Sequence, residues 1–162
     1  MKKILLVALI PMLIIPKAYA EVTQDSCLTD LDHNPELATI QDKVALSFSE
    51  NQTNAMLANK KTPNDEETKV ILKWVHQRSV CYTRENEAKM NEYMPQEIKA
   101  INTAIQNDLE RKSIDLADGK YSYGAFAKWR AERYEKYKAE YQVVTDSINK
   151  RREQNNNSPI VT

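Results

Sequence analysis

The chain has 162 residues, equal numbers of basic and acidic side chains (23 each), and only two glycines, Gly119 and Gly124. So few glycines argue against a sheet fold, whose turns need them, and the abundance of Ala, Glu, Lys, Gln and Asn argues for helices. The zero balance hides an asymmetry: residues 21 to 119 carry 11 Lys plus Arg against 18 Asp plus Glu, whereas residues 120 to 152 carry 9 against 4. An acidic body packing on a basic last helix accounts for that division.

Residues 1–20 form a predicted signal peptide. Lys2 and Lys3 precede an apolar run from Ile4 to Ile15, and Ala18-Tyr19-Ala20 supplies the small-x-small cleavage pattern. The run is short for a membrane span, and no second one follows. Gln24-Asp25-Ser26 before Cys27 is the wrong context for a lipid anchor. A periplasmic or secreted chain is expected, with one domain of ordinary size after cleavage. Cys27 and Cys81 then enter an oxidising compartment, where an intramolecular disulfide is the default and a redox pair is disfavoured by the lack of Cys-x-x-Cys spacing.

Residues 21–33 read as a short, polar, extended segment pinned by Cys27. A helical domain is expected over 34–152. Asn34-Pro35-Glu36 starts a first helix, with Asn as cap and Pro at the first helical position. Leu37, Ile40, Val44, Phe48 and Ala55 give it one apolar face to about Ala58. Thr62-Pro63-Asn64-Asp65 starts a second, with Thr62 as the cap, and Val70, Trp74, Cys81 and Ala88 fall on its inner line beside Ile71 and Tyr82. Pro95 ends or kinks that helix. Ile98, Ile101, Ile105, Leu109 and Leu116 form the stripe of a third, closed by Asp118-Gly119. Ser122 caps a fourth, whose seam is Tyr134, Tyr137, Tyr141, Val144 and Ile148. Residues 153–162 read as a disordered tail. The expected fold is all-α: a small antiparallel bundle of about four helices stapled by one disulfide.

The segment Trp74-Val75-His76-Gln77-Arg78-Ser79-Val80-Cys81 resembles the Trp-x-x-x-Arg stretch running into a cysteine in the helical LprI-like periplasmic lysozyme inhibitors. The cysteine stands one position earlier here, the family's additional cysteines are missing, and the likeness covers eight residues, so no function is carried over from it.

The candidate partner-binding residues are Tyr121, Tyr123, Phe126, Trp129, Arg130 and Arg133, where charge interrupts the fourth-helix seam. Two arginines on an aromatic face either pair with acids such as Asp108, Glu110 or Asp115, or line a groove for an anionic or aromatic partner. The outer basic residues Lys128, Lys136, Lys138, Lys150, Arg151 and Arg152 are interleaved with Glu132, Glu135 and Glu140, which dilutes the field and argues against nucleic acid. Asp30, Asp32, His33 and Glu36 match no metal spacing, His76 has no paired nucleophile, and there is no Gly-rich loop, metal motif or nucleophile elbow. No catalytic residues, metal or cofactor are expected. The reading is an exported, non-enzymatic binding or inhibitory protein that engages a protein partner through a helix face. The alternatives are a binder of anionic envelope glycan or lipid and a small carboxylate-dependent hydrolase.

Overall fold

The computed structural model describes residues 24–90 and 94–156, and every regular element among them is helical. The predicted leader, residues 21–23, and positions 157–162 of the predicted tail lie outside the described residues, as does the side chain of Ala88. The helices are α1 (Gln24–Leu31), α2 (Asn54–Ala58), α3 (Asp65–Met90), α4 (Gln96–Ala117) and α5 (Tyr123–Asn156), with short 3-10 turns at Pro35–Ile40 and Ser49–Asn51. The all-α, disulfide-bonded bundle forms as expected, but with three long helices rather than four.

The N-terminal segment departs most from expectation. Its first described part is helical, not extended: α1 buries Leu28 and Leu31, three residues apart, and Cys27 is joined to Cys81 across 54 positions. A helix of eight residues is not stable alone. The disulfide and the two leucines hold it against α3.

Asn34 caps as predicted, its side chain accepting from the Glu36 N–H at 2.9 Å. The helix it opens stops at Ile40 instead of running to Ala58. Leu37, Ile40 and Val44 are buried, yet Val44, Ala45, Leu46 and Ser47 are buried consecutively, which no amphipathic helix can do because it hides one face only. The chain passes through the core here in irregular form. α2 follows, capped by Thr53 accepting from the Met56 N–H at 3.2 Å.

The cap of α3 is Asn64 rather than Thr62. Its side-chain oxygen accepts from the N–H groups of Glu66 (3.0 Å) and Glu67 (2.9 Å), and the Glu67 carboxylate accepts from the Asn64 N–H at 3.0 Å. This reciprocal pair satisfies three otherwise orphaned donors. Ile71, Trp74, Arg78 and Cys81, at steps of three, four and three, form the buried face.

Pro95 immediately precedes α4. At the other end Gly119 takes φ 73°, the Gly119 N–H donates to the Leu116 carbonyl and the Lys120 N–H reaches back to Asp115, closing the helix as the Asp118-Gly119 pair predicts. Ser122 caps α5, accepting from the Ala125 N–H at 3.2 Å. This helix continues through Asn156, so residues 153–156, expected in the tail, are helical.

α4 runs antiparallel to both other long helices. Thr68 near the start of α3 donates to the Ala117 carbonyl at the end of α4 (3.0 Å), and Arg151 near the end of α5 meets Glu97 at the start of α4 (2.6 Å). Residues 27–64 form the remaining wall. α1 and the first 3-10 turn pack on α3, while α2 packs on the beginning of α5, where Gly124 donates to the Asn59 carbonyl at 2.7 Å. Trp74 and Phe126 meet edge to face at the centre, with ring centroids 6.3 Å apart.

Candidate functional site

The six residues singled out on the first half of α5 do not share one surface. Tyr123, Phe126 and Arg130 are interior, each at most 1 % exposed. Trp129 is half-buried and stacks on Phe126 with centroids 5.9 Å apart. Tyr121 is half-buried beneath the Lys112 ammonium, 4.5 Å from its ring centroid. Arg133 binds the Asp108 carboxylate through Nε at 2.8 Å and through Nη2, while the Tyr137 hydroxyl donates to the same oxygen at 2.7 Å. That hydrogen bond from Tyr137 and the Arg133 guanidinium hold the Asp108 carboxyl below the usual aspartate range. Burial, with Asp108 beside it, pushes the Tyr137 hydroxyl up to about 12.

Pairing with Asp108 thus holds for Arg133. It does not hold for Arg130, whose Nη1 donates to the backbone carbonyl of Ala45. Arg78 enters from α3 and donates through Nη1 to the carbonyls of Leu46 (3.2 Å) and Ser47. Trp74 Nε1 also donates to Leu46, at 2.9 Å. Three consecutive carbonyls of the irregular segment are satisfied by side chains from two long helices, which is how non-helical backbone survives in a core. Asp32 completes the arrangement: it accepts the Ser47 N–H at 3.1 Å and the Ser47 hydroxyl. The Arg130 guanidinium lies 5.5 Å from the Trp74 ring and 6.0 Å from Phe126. Burial and the adjacent Arg78 charge both lower its proton affinity. Sequence reasoning had not assigned Arg78 to the core, although Trp74, Arg78 and Cys81 stand at helical spacing on one face.

The exposed apolar surface of α5 lies in its second half. Contacts from residues 27–64 to this helix are made by Tyr123, Gly124, Ala127 and Arg130, all in the first half. Beyond Tyr137 the helix runs beside α4, and an open groove of about 360 Å³ separates Met94, Pro95 and Ile98 from Tyr141, Ile148 and Arg152. Tyr141, on the lip of this groove, is 37 % exposed; Val143 is 69 % exposed but does not line the groove and, by helical spacing, falls on the opposite face of α5. The predicted seam is therefore a mixed one: Tyr137 is buried, Val144 and Ile148 are half-buried, and Tyr141 faces outward.

Of the remaining polar candidates, Asp32 is engaged by Ser47 and Glu36 by α3. Glu36 meets Lys73 at 2.6 Å and accepts from Gln77 at 3.2 Å. Among the described residues no three His, Cys, Asp or Glu side chains are placed to hold a metal ion, and no helix is long and apolar enough to cross a membrane. No protein-family model matches the chain, and no curated protein or solved structure is similar to it, so what it does rests on the geometry of its own residues.

Proposed function

We propose that this is an exported, non-enzymatic binding or inhibitory protein that engages a protein partner through a helix face, and we assign that face to the distal half of the α4–α5 pair. The leader-like residues 1–20 and the Cys27–Cys81 disulfide support export to an oxidising compartment such as the periplasm. One observation carries the choice of surface: Tyr141 is exposed on the lip of an open groove lined by Met94, Pro95, Ile98 and Ile148. An open groove lined by apolar side chains, with Arg152 and Asn149 at its edge, fits the helix-in-groove mode of recognition. The first half of α5 is occupied in building the core.

The competing reading, an anionic envelope polymer, would use the basic residues of the same helix. Lys136 and Lys138 are already close to Glu140 (3.7 Å) and Glu135 (3.9 Å), which weakens the field they present. Capture from envelope extracts with the wild-type chain and with Tyr141→Glu separates the two. A protein retained by the wild type and weakened at least about tenfold by Tyr141→Glu supports the groove, provided the variant unfolds at the wild-type temperature. Retention that ignores the substitution and elutes with modest salt contradicts it and favours the polymer.

A further inference from the structure

Arg78 and Arg130 are 7 % and 1 % exposed and reach the same three residues, Ala45 to Ser47, from α3 and α5. Each uses Nη1 for those carbonyls. Arg78 Nε, Arg130 Nε and Arg130 Nη2 are buried with no hydrogen-bond acceptor among the described residues. The acids that act on the pair are Asp32 and Glu50. Both Asp32 oxygens are taken by Ser47, and Glu50 is exposed. Tyr82 lies against Arg78, its ring centroid 5.4 Å from Cζ, and Trp74 and Phe126 present ring faces to Arg130. Ring faces attract a cation but carry no net charge.

Two buried guanidiniums have near them one half-buried carboxylate, Asp32, already hydrogen-bonded to Ser47, and one exposed carboxylate, Glu50, while three of their nitrogens lack an acceptor. Arginine cannot relieve that by deprotonating near neutral pH, and an uncompensated buried charge costs several kcal/mol. We propose that the junction between α3, α5 and the irregular segment 41–48 binds a small inorganic anion of halide size, held by the free N–H groups of Arg78 and Arg130. The donors are closed off from solvent, which suits a compact monoatomic ion rather than the phosphate or carboxylate of a larger ligand. Its charge neutralises the pair, and its bonds tie α3 to α5 through the loop they share.

The decisive experiment is diffraction from crystals of the oxidised chain grown in bromide, read at the bromine absorption edge. The site predicts an anomalous peak within hydrogen-bonding distance of Arg78 Nε and of Arg130 Nε or Nη2. A junction without a peak, filled by water or closed, overturns the proposal. In solution, the midpoint of thermal unfolding should rise about 5 °C for each tenfold increase in chloride above its dissociation constant, with ionic strength held constant by methanesulfonate. Arg130→Met should abolish that dependence, and a wild-type midpoint indifferent to chloride counts against the site. If Arg130→Met does not fold, the bromide map of the wild type decides.

Discussion

Trp74 has two separable roles at the centre of the molecule. Its ring fills the core against Phe126, and its indole N–H serves the Leu46 carbonyl. Trp74→Ala should cost about 4 kcal/mol through lost burial and the cavity left behind. Trp74→Phe keeps most of the volume and leaves Arg78 as the remaining donor to that carbonyl, and should cost about 1 kcal/mol. Urea unfolding of the two variants measures the split. Asp108 gives a prediction in pH. Its folded-state affinity for protons is depressed, chiefly by the Tyr137 hydrogen bond and then by Arg133, so the unfolded chain binds the proton more readily. Its contribution is complete above the usual aspartate value of 3.8 and fades as pH falls through the depressed folded value. The stability gap between wild type and Asp108→Asn should therefore be constant from pH 7 to 5 and shrink below pH 4. A gap that widened in acid would place the carboxylate outside the network.

Among the elements, those with local signals were legible in the sequence. Asn34, Ser122 and the Asp118-Gly119 stop act within a few residues of themselves, so the sequence shows them directly. Segment 41–48 was not legible. Leu37, Ile40 and Val44 have helical spacing and are buried, but the path beyond them is set by donors at Trp74, Arg78 and Arg130, the last of them 85 positions from its acceptor. Arg130 likewise could be seen as a charge on an apolar face, while the carbonyl that receives it could not. Gly124 belongs to this scale too. A Cβ there would lie 2.7 Å from the carbonyl oxygens of both Leu57 and Asn59, which are backbone and cannot swing aside. Gly124→Ala should destabilise by about 2 kcal/mol or more despite alanine's better helix propensity, and thermal unfolding measures it. Gly119 shows open space instead but a left-handed backbone, so its alanine variant should lose only about 1 kcal/mol.

At the scale of the whole molecule, the disulfide and the arginine junction join an irregular N-terminal wall to three long helices. Opening the 54-position loop by Cys27→Ser with Cys81→Ser should cost about 4 kcal/mol on chain entropy and free α1 first, which native-state hydrogen exchange would show as lost protection over 24–31. The groove should keep its shape in that variant, because α4 and α5 are tied by Arg133 to Asp108 and by Arg151 to Glu97. This division separates a first half of α5 that builds the core from a distal half that lines an open groove with α4. The most direct test of that assignment replaces Tyr141, on the lip of the groove, with a photo-crosslinking residue, and separately does the same at Leu72, which is 46 % exposed on α3. After illumination in the cell envelope, position 141 should give one discrete protein adduct and position 72 none. Adducts from position 72 alone, or none from 141 while the untouched protein still captures a partner, would contradict the assignment.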